Sequence, residues 1–234
     1  MRPFWIGPWT VCAALVVASC AQPPEPVVAP PAFPSTHGGG VNPANIKRMG
    51  RELPSGYEVT SSIPSTATPR AIWGLKADAA LVTSKPPQCA ALADPGSGRG
   101  QAQGVSGSGP GGIVDAVVVA LPALPGPVAP DHTLVAACGQ WTMIDRHTGH
   151  IEAGVHLIDP PRIDGADTVG MAADIRTSVE SGAEIDSRTY TFIAYLGDYY
   201  AFTTVTTDPG SVLPALTPQF AADLLVKTVS TLRS

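Results

Sequence analysis

The residues best suited to chemistry in this 234-residue chain are three histidines, His147, His150 and His156. His147 and His150 bracket a two-residue turn and face one another across a hairpin, with Asp145 and Glu152 close in sequence. Imidazole and carboxylate are zinc ligands, so a zinc-dependent site is one reading of this region. The spacing matches no standard zinc pattern, and a solvated turn histidine explains the same residues. A Ser-His-Asp hydrolase is the other catalytic reading, since serines and aspartates abound. None of these serines lies in a G-x-S-x-G elbow that would mark it as activated.

Cofactor signals are equally weak. Gly107, Gly109 and Gly112 formally spell G-x-G-x-x-G. A dinucleotide fingerprint needs a strand before it and a helix after it, whereas Pro110 lies inside this one and a strand follows. There is no G-K-[ST] phosphate loop either. No residue is assigned to catalysis or to a metal, and no cofactor is expected. An envelope hydrolase or zinc-dependent enzyme using His147, His150 and His156 stays as the alternative to a non-catalytic protein.

The chain carries 14 Lys+Arg against 19 Asp+Glu, a formal net charge of −5. A mildly acidic chain without long basic clusters lacks the footprint that neutralises phosphates, so nucleic acid is not an expected partner. Cys12, Cys20, Cys89 and Cys138 are its four cysteines. Cys12 falls in the leader described next, and two cysteines left in an oxidising exterior most simply pair, giving a Cys89–Cys138 disulfide. A metal site or a free thiol at these positions is the open alternative.

Arg2 followed by the apolar run 9–17 fits a secretory leader, because a spanning helix needs about 20 apolar residues. The four residues Val17-Ala18-Ser19-Cys20 resemble the lipobox of bacterial lipoproteins. That resemblance implies residues 1–19 as a lipoprotein signal peptide and lipidation of Cys20 as the new N-terminus. It implies localisation at the cell membrane, lipid-anchored on the extracytoplasmic side. Cleavage after Ala18 or Ala21, releasing a soluble protein, is the alternative. Residues 20–41 are a lipid anchor and a Pro/Gly-rich tether, with prolines at 23, 24, 26, 30, 31 and 34 favouring extended polyproline II and Gly38 to Gly40 making a flexible joint.

Residues 42–234 must then build a single domain. Asn42 caps and Pro43 starts a short helix over 43–51, and residues 57–60 are extended. Residues 86–92 make a second short helix that carries Cys89. The glycine-serine run 95–112 is expected as a long surface loop or irregular hairpin. Residues 113–121 are a buried strand rich in valine. Residues 141–145 and 151–158 are strands flanking a turn, while 167–179 is strand or helix and periodicity leaves it open. The clearest element is a hairpin of 189–196 and 199–206 around Gly197-Asp198, a two-residue loop with glycine first. Thr217 caps a closing helix whose Ala221, Leu225, Val229 and Leu232 share one side. The fold class is α+β, an antiparallel sheet covered on one face by helices, with a single disulfide.

Aromatic residues concentrate on the hairpin. Pairing Leu196 with Tyr199 sets Tyr190, Phe192, Leu196, Tyr199 and Val205 on one face and Ile193, Tyr195, Tyr200 and Phe202 on the other. If helices cover only one face, the first is core and Tyr195 and Tyr200 look onto a groove or water. With Trp141 they are the expected ligand-binding residues, suited to an envelope glycan, lipid or peptide.

The element order, the cysteine in Pro87-Gln88-Cys89-Ala90, the segment Cys138-Gly139-Gln140-Trp141-Thr142, the aromatic hairpin and the terminal helix resemble mycobacterial (actinobacterial) lipoproteins of unknown function. These are similar to the extracellular sensor domain of a mycobacterial serine/threonine protein kinase. The resemblance covers residues 43–234 and implies ligand binding or sensing at the cell envelope without catalysis. The kinase domain has two disulfides where this chain can form one, so its groove does not carry over.

Overall fold

The computed structural model describes residues 40–75, 81–121, 128–145 and 151–234. Cys20, the tether up to residue 39, and His147 and His150 lie outside the described residues. Thr36 to Ser234 form one compact unit.

Among the described residues nine strands make one antiparallel sheet. They are β1 (Glu58–Thr60), β2 (Val82–Lys85), β3 (Gln101–Gly109), β4 (Gly112–Ala120), β5 (Gln140–Asp145), β6 (Ile151–Ile158), β7 (Asp167–Ser178), β8 (Glu184–Tyr195) and β9 (Tyr199–Thr206). Their spatial order is β1-β3-β4-β9-β8-β7-β6-β5-β2. Three α-helices, α1 (Pro69–Ile72), α2 (His132–Ala137) and α3 (Pro218–Leu232), and 3-10 helices at Pro43–Arg51 and Pro87–Ala93 pack on it.

The β8–β9 hairpin forms as its turn residues dictate. Gly197 sits at φ +75°, the Leu196 amide donates to the Tyr199 carbonyl at 2.8 Å, and Tyr195 pairs with Tyr200. Residues 167–178 resolve as strand: residues 169 to 173 are buried without a break, and burial alternates only from Ala173 on, with Asp174 and Arg176 exposed on either side of buried Ile175. Both flanking strands pair with β7 along most of its length, which periodicity over so many small residues did not reveal.

The glycine-serine run, expected as a surface loop or irregular hairpin, forms one arm of a regular hairpin instead. Residues 101–109 are a nine-residue strand, joined to β4 by a hairpin over Pro110 and Gly111. Glycine is needed here because neighbours approach closely. A Cβ on Gly104 would lie 2.6 Å from the Ala116 carbonyl oxygen, and one on Gly107 would lie 2.7 Å from a Leu53 methyl. Packing decides the conformation where intrinsic propensity points to a loop.

One face of the sheet is covered as expected. The first 3-10 helix and α3 bury Ile46, Met49, Leu225, Val229 and Leu232 against Val114, Ala116, Val118, Phe192 and Ala194. Asn42 Oδ1 accepts from the Ala44 amide, and Thr217 Oγ1 accepts from the Phe220 amide, so both predicted caps form. Thr203 Oγ1 donates to the Ala221 carbonyl at 2.7 Å and ties α3 to β9.

The opposite face is covered too, by segments that read as connections. There α1, the second 3-10 helix and α2 enclose Trp73, Leu75, Cys89, Leu92, Val117, Phe202 and Ile193. The Cys89–Cys138 disulfide forms and links the second 3-10 helix to the C-cap of α2. A buried ion pair, Arg70 to Asp94 at 2.9 Å, joins α1 to the end of that same 3-10 helix. Trp73 Nε1 donates to Thr191 Oγ1 in the centre of β8.

This second layer overturns the exposure expected for the candidate binding residues. Tyr195 is 6% exposed, Tyr200 0% and Trp141 2%. Burial drives both tyrosine hydroxyls well above their ordinary pKa, so neither ring presents an ionisable or solvent-facing group.

Candidate functional site

The sheet is wider than the layer that covers it. On the face carrying α3, the helix lies over β4, β9 and part of β8 and stops short of β6 and β7. Strand alternation places the even-numbered residues of β6, β7 and β8 on this face, where Phe192, Ala194 and Ala172 are buried while Asp174, Arg176, Asp186 and Glu152 are exposed. Register then sets them in rows. His156, Ala172 and Tyr190 form one row, Gly154, Asp174 and Arg188 the next, and Glu152, Arg176 and Asp186 the third. Successive rows are about 7 Å apart, two residues of strand rise.

Walls rise on one side of this floor, from the start of α3 and from the chain that precedes it. A cavity of about 340 Å³ lies where Pro218, Gln219 and Ala222 of α3 meet His156, Ala172 and Tyr190. A larger one of about 680 Å³ adjoins it, floored by Gly154, Asp174, Arg176 and Arg188 and bounded by Asp208, Pro209 and Ala215. Arg188 and Tyr190 line both, so the two make one groove. Small side chains at Gly154 and Ala172 keep its floor low.

The electrostatics are those of paired opposite charges. Arg188 Nε donates to Asp174 Oδ1, and Arg176 Nε donates to Asp186 Oδ1 at 3.3 Å with Glu184 at 3.6 Å. The hydrogen bond to Asp174, then that to Tyr190, raises the Arg188 pKa further, and Asp186 does the same for Arg176. Both guanidinium groups therefore stay cationic. Carboxylates outnumber them: Glu152, Asp174, Asp186, Asp208 and Asp159 all line the groove. Such a floor offers many hydrogen-bond acceptors, two planar forks of donors and one partly exposed aromatic ring.

The tyrosine that meets the groove is Tyr190, half-buried, on the hairpin face that sequence alternation assigned to the core. Both readings of that face hold in part, because α3 covers Phe192 and Leu196 but ends before Tyr190. Of the three histidines, His156 lines the groove. Among the described residues, no group of three His, Cys, Asp or Glu side chains is arranged to hold a metal ion. Arg188, Asp174 and Gly154 were missed from the sequence, because only the register of β6, β7 and β8 brings them into one row.

One solved structure shares this architecture. The chain is similar to an uncharacterised protein of Mycobacterium smegmatis, the Rv0999 ortholog, with TM-score 0.56 and 18% identity over 83% of this chain and 98% of that one. It is also similar to the extracellular domain of PknH from Mycobacterium tuberculosis, with TM-score 0.38 and 14% identity over 82% of this chain and 93% of that one. At 18% identity the first of these likenesses concerns the fold alone. No curated protein matches the chain in sequence. A family model does match, over residues 42–233, and the chain belongs to that family, described as Domain of unknown function (DUF5642).

Proposed function

We propose that this protein is a non-catalytic, lipid-anchored binding protein of the cell envelope whose groove over β6, β7 and β8 takes a glycan. The observation that carries the reading is the composition of the floor: Tyr190 beside the low ground of Gly154 and Ala172, flanked by the Arg188–Asp174 and Arg176–Asp186 pairs. A sugar ring stacks its C–H face on an aromatic ring. Its hydroxyls are at once donors and acceptors, which suits neighbouring carboxylate and guanidinium groups. The excess of carboxylates disfavours an anionic ligand, and the open, polar shape disfavours a free lipid, which requires an apolar enclosure.

The Cys89–Cys138 disulfide supports an extracytoplasmic setting, since such bonds persist in oxidising compartments. Anchoring rests on Cys20, whose replacement by serine should move the protein out of the detergent phase.

Titration of the domain with soluble cell-wall oligosaccharides, followed by amide NMR shifts, tests the groove. Shifts clustered at residues 154, 172, 174, 188 and 190 that vanish in Tyr190→Ala support the reading. Saturable binding of peptides at the same residues, with no response to oligosaccharide, would replace the glycan by a peptide.

A further inference from the structure

We infer that the end of the domain built from the first 3-10 helix and the last turns of α3 is a docking surface for a bilayer of anionic phospholipid. The chain is acidic overall, yet Lys47, Arg48 and Arg51 fall within five residues. The helix that carries them buries Asn45, Ile46 and Met49 and leaves all three cations exposed. α3 packs alongside and adds Lys227 and Arg233. These five outnumber Glu52 and Asp164, the acidic residues nearest them, and Asp223 lies one turn before Lys227 on α3, further from this end.

The surface is also shaped. A cavity of about 420 Å³ is lined by Arg48, Arg51, Glu52, Ser230, Thr231 and Ser234. Two guanidinium forks and three hydroxyls are the donor set that a phosphodiester headgroup uses. Two of the neighbouring cations are already engaged. Lys227 Nζ donates to Glu52 at 2.8 Å, and Arg233 donates to the carbonyls of Asp164 and Gly165. Arg48 makes a single 3.3 Å contact to Ser234 Oγ.

Position identifies the occupant. The Asn42 amide donates to the Leu232 carbonyl at 2.8 Å, so the chain enters the domain at this end of α3. The preceding residues lead back to Cys20, and a tether of roughly 20 residues keeps the surface at high effective concentration near any bilayer that holds the lipid. The lipid on Cys20 would supply the anchoring, and the basic patch adds an electrostatic attraction that orients the tethered domain on anionic headgroups. The 15 residues of α3 then separate this end from the groove at Pro218 and Gln219 by roughly 22 Å. A docked domain therefore presents its groove away from the membrane.

The inference rests on the envelope reading above, and its test needs neither the acyl chain nor a groove ligand. Residues 36–234, one compact unit, are sedimented with vesicles of phosphatidylcholine alone or mixed with phosphatidylglycerol. Binding several-fold stronger to the mixed vesicles, abolished by high salt and by Lys47→Gln, Arg48→Gln and Arg51→Gln together, is the expected result. Tyr190→Ala should bind the vesicles as the parent does, which separates this surface from the groove. Circular dichroism checks that the triple variant is folded, and Arg51→Gln alone should give a partial loss. Equal binding to both vesicle types, or a folded triple variant that binds like the parent, overturns the inference.

Discussion

Asp174 and Arg188 are direct cross-strand partners on β7 and β8, joined by a side-chain hydrogen bond in the middle of the groove floor. Both are about half exposed, so the pair contributes little to stability, about 0–1 kcal/mol. Arg188→Ala should lower the thermal midpoint by no more than a few degrees while abolishing the oligosaccharide-induced amide shifts. Loss of folding in this variant would show instead that the pair serves the sheet.

Gly154 offers a cleaner probe of the floor. A Cβ there meets nothing nearer than the Asp174 carbonyl oxygen at 4.0 Å, in open space. Gly154→Leu should change stability by about 0.5 kcal/mol or less and fill the groove. Retained ligand binding in a protein with unchanged denaturant midpoint would count against the site.

Gly104 is the contrasting case. Its Cβ would lie 2.6 Å from the Ala116 carbonyl oxygen and 3.0 Å from Val117 Cα, backbone that cannot move aside. Gly104→Ala should destabilise by about 1–3 kcal/mol through overpacking, read as a lower urea midpoint with unchanged slope.

The disulfide closes a sequence separation of 49 residues. Cys89→Ser with Cys138→Ser should cost about 4 kcal/mol in the loop-entropy account. The second layer on the Tyr200 face should loosen first, so hydrogen exchange should rise in α2 and in residues 87–93 before it rises in α3. Uniform loosening of both faces would contradict that order.

Asp115 supplies a pH dependence. Burial pushes its carboxyl above the ordinary value of 3.8, and hydrogen bonds from Ser106 and Thr204 offset this only in part. The folded state therefore holds the proton more tightly than the unfolded chain. Stability falls as pH rises through the interval above 3.8, and the penalty is complete above the folded pKa. Asp115→Asn cannot ionise and still accepts from Thr204 Oγ1. Its thermal midpoint should gain on the parent's as pH rises from acid to neutral, and a constant difference at all pH values would rule the account out.

Local chemistry was legible wherever it acts over a few residues. Asn42-Pro43 and Thr217-Pro218 announced helix starts, Gly197-Asp198 announced a hairpin and its register, and the two cysteines left for the domain announced their bond. The caps and the hairpin depend on backbone geometry within short reach, whereas the cysteines, 49 residues apart, were legible because no other partner was expected in the domain.

What the chain alone left undecided is which surfaces meet. Alternation divided the β8–β9 hairpin correctly into two faces, with Phe192 on one and Tyr200 on the other. It could not say that α1, α2 and the second 3-10 helix, too short to carry a periodic signal, would cover the Tyr200 face, nor that α3 would stop short of Tyr190. The glycine-serine strand β3 and the row of Gly154, Asp174 and Arg188 likewise exist only because neighbouring strands fix them. Burial and register are set by contacts between residues far apart in sequence, so the sequence determined the two capped helices, the Gly197-Asp198 hairpin and the division of its faces, and tertiary packing decided which tyrosine is core and which faces the groove.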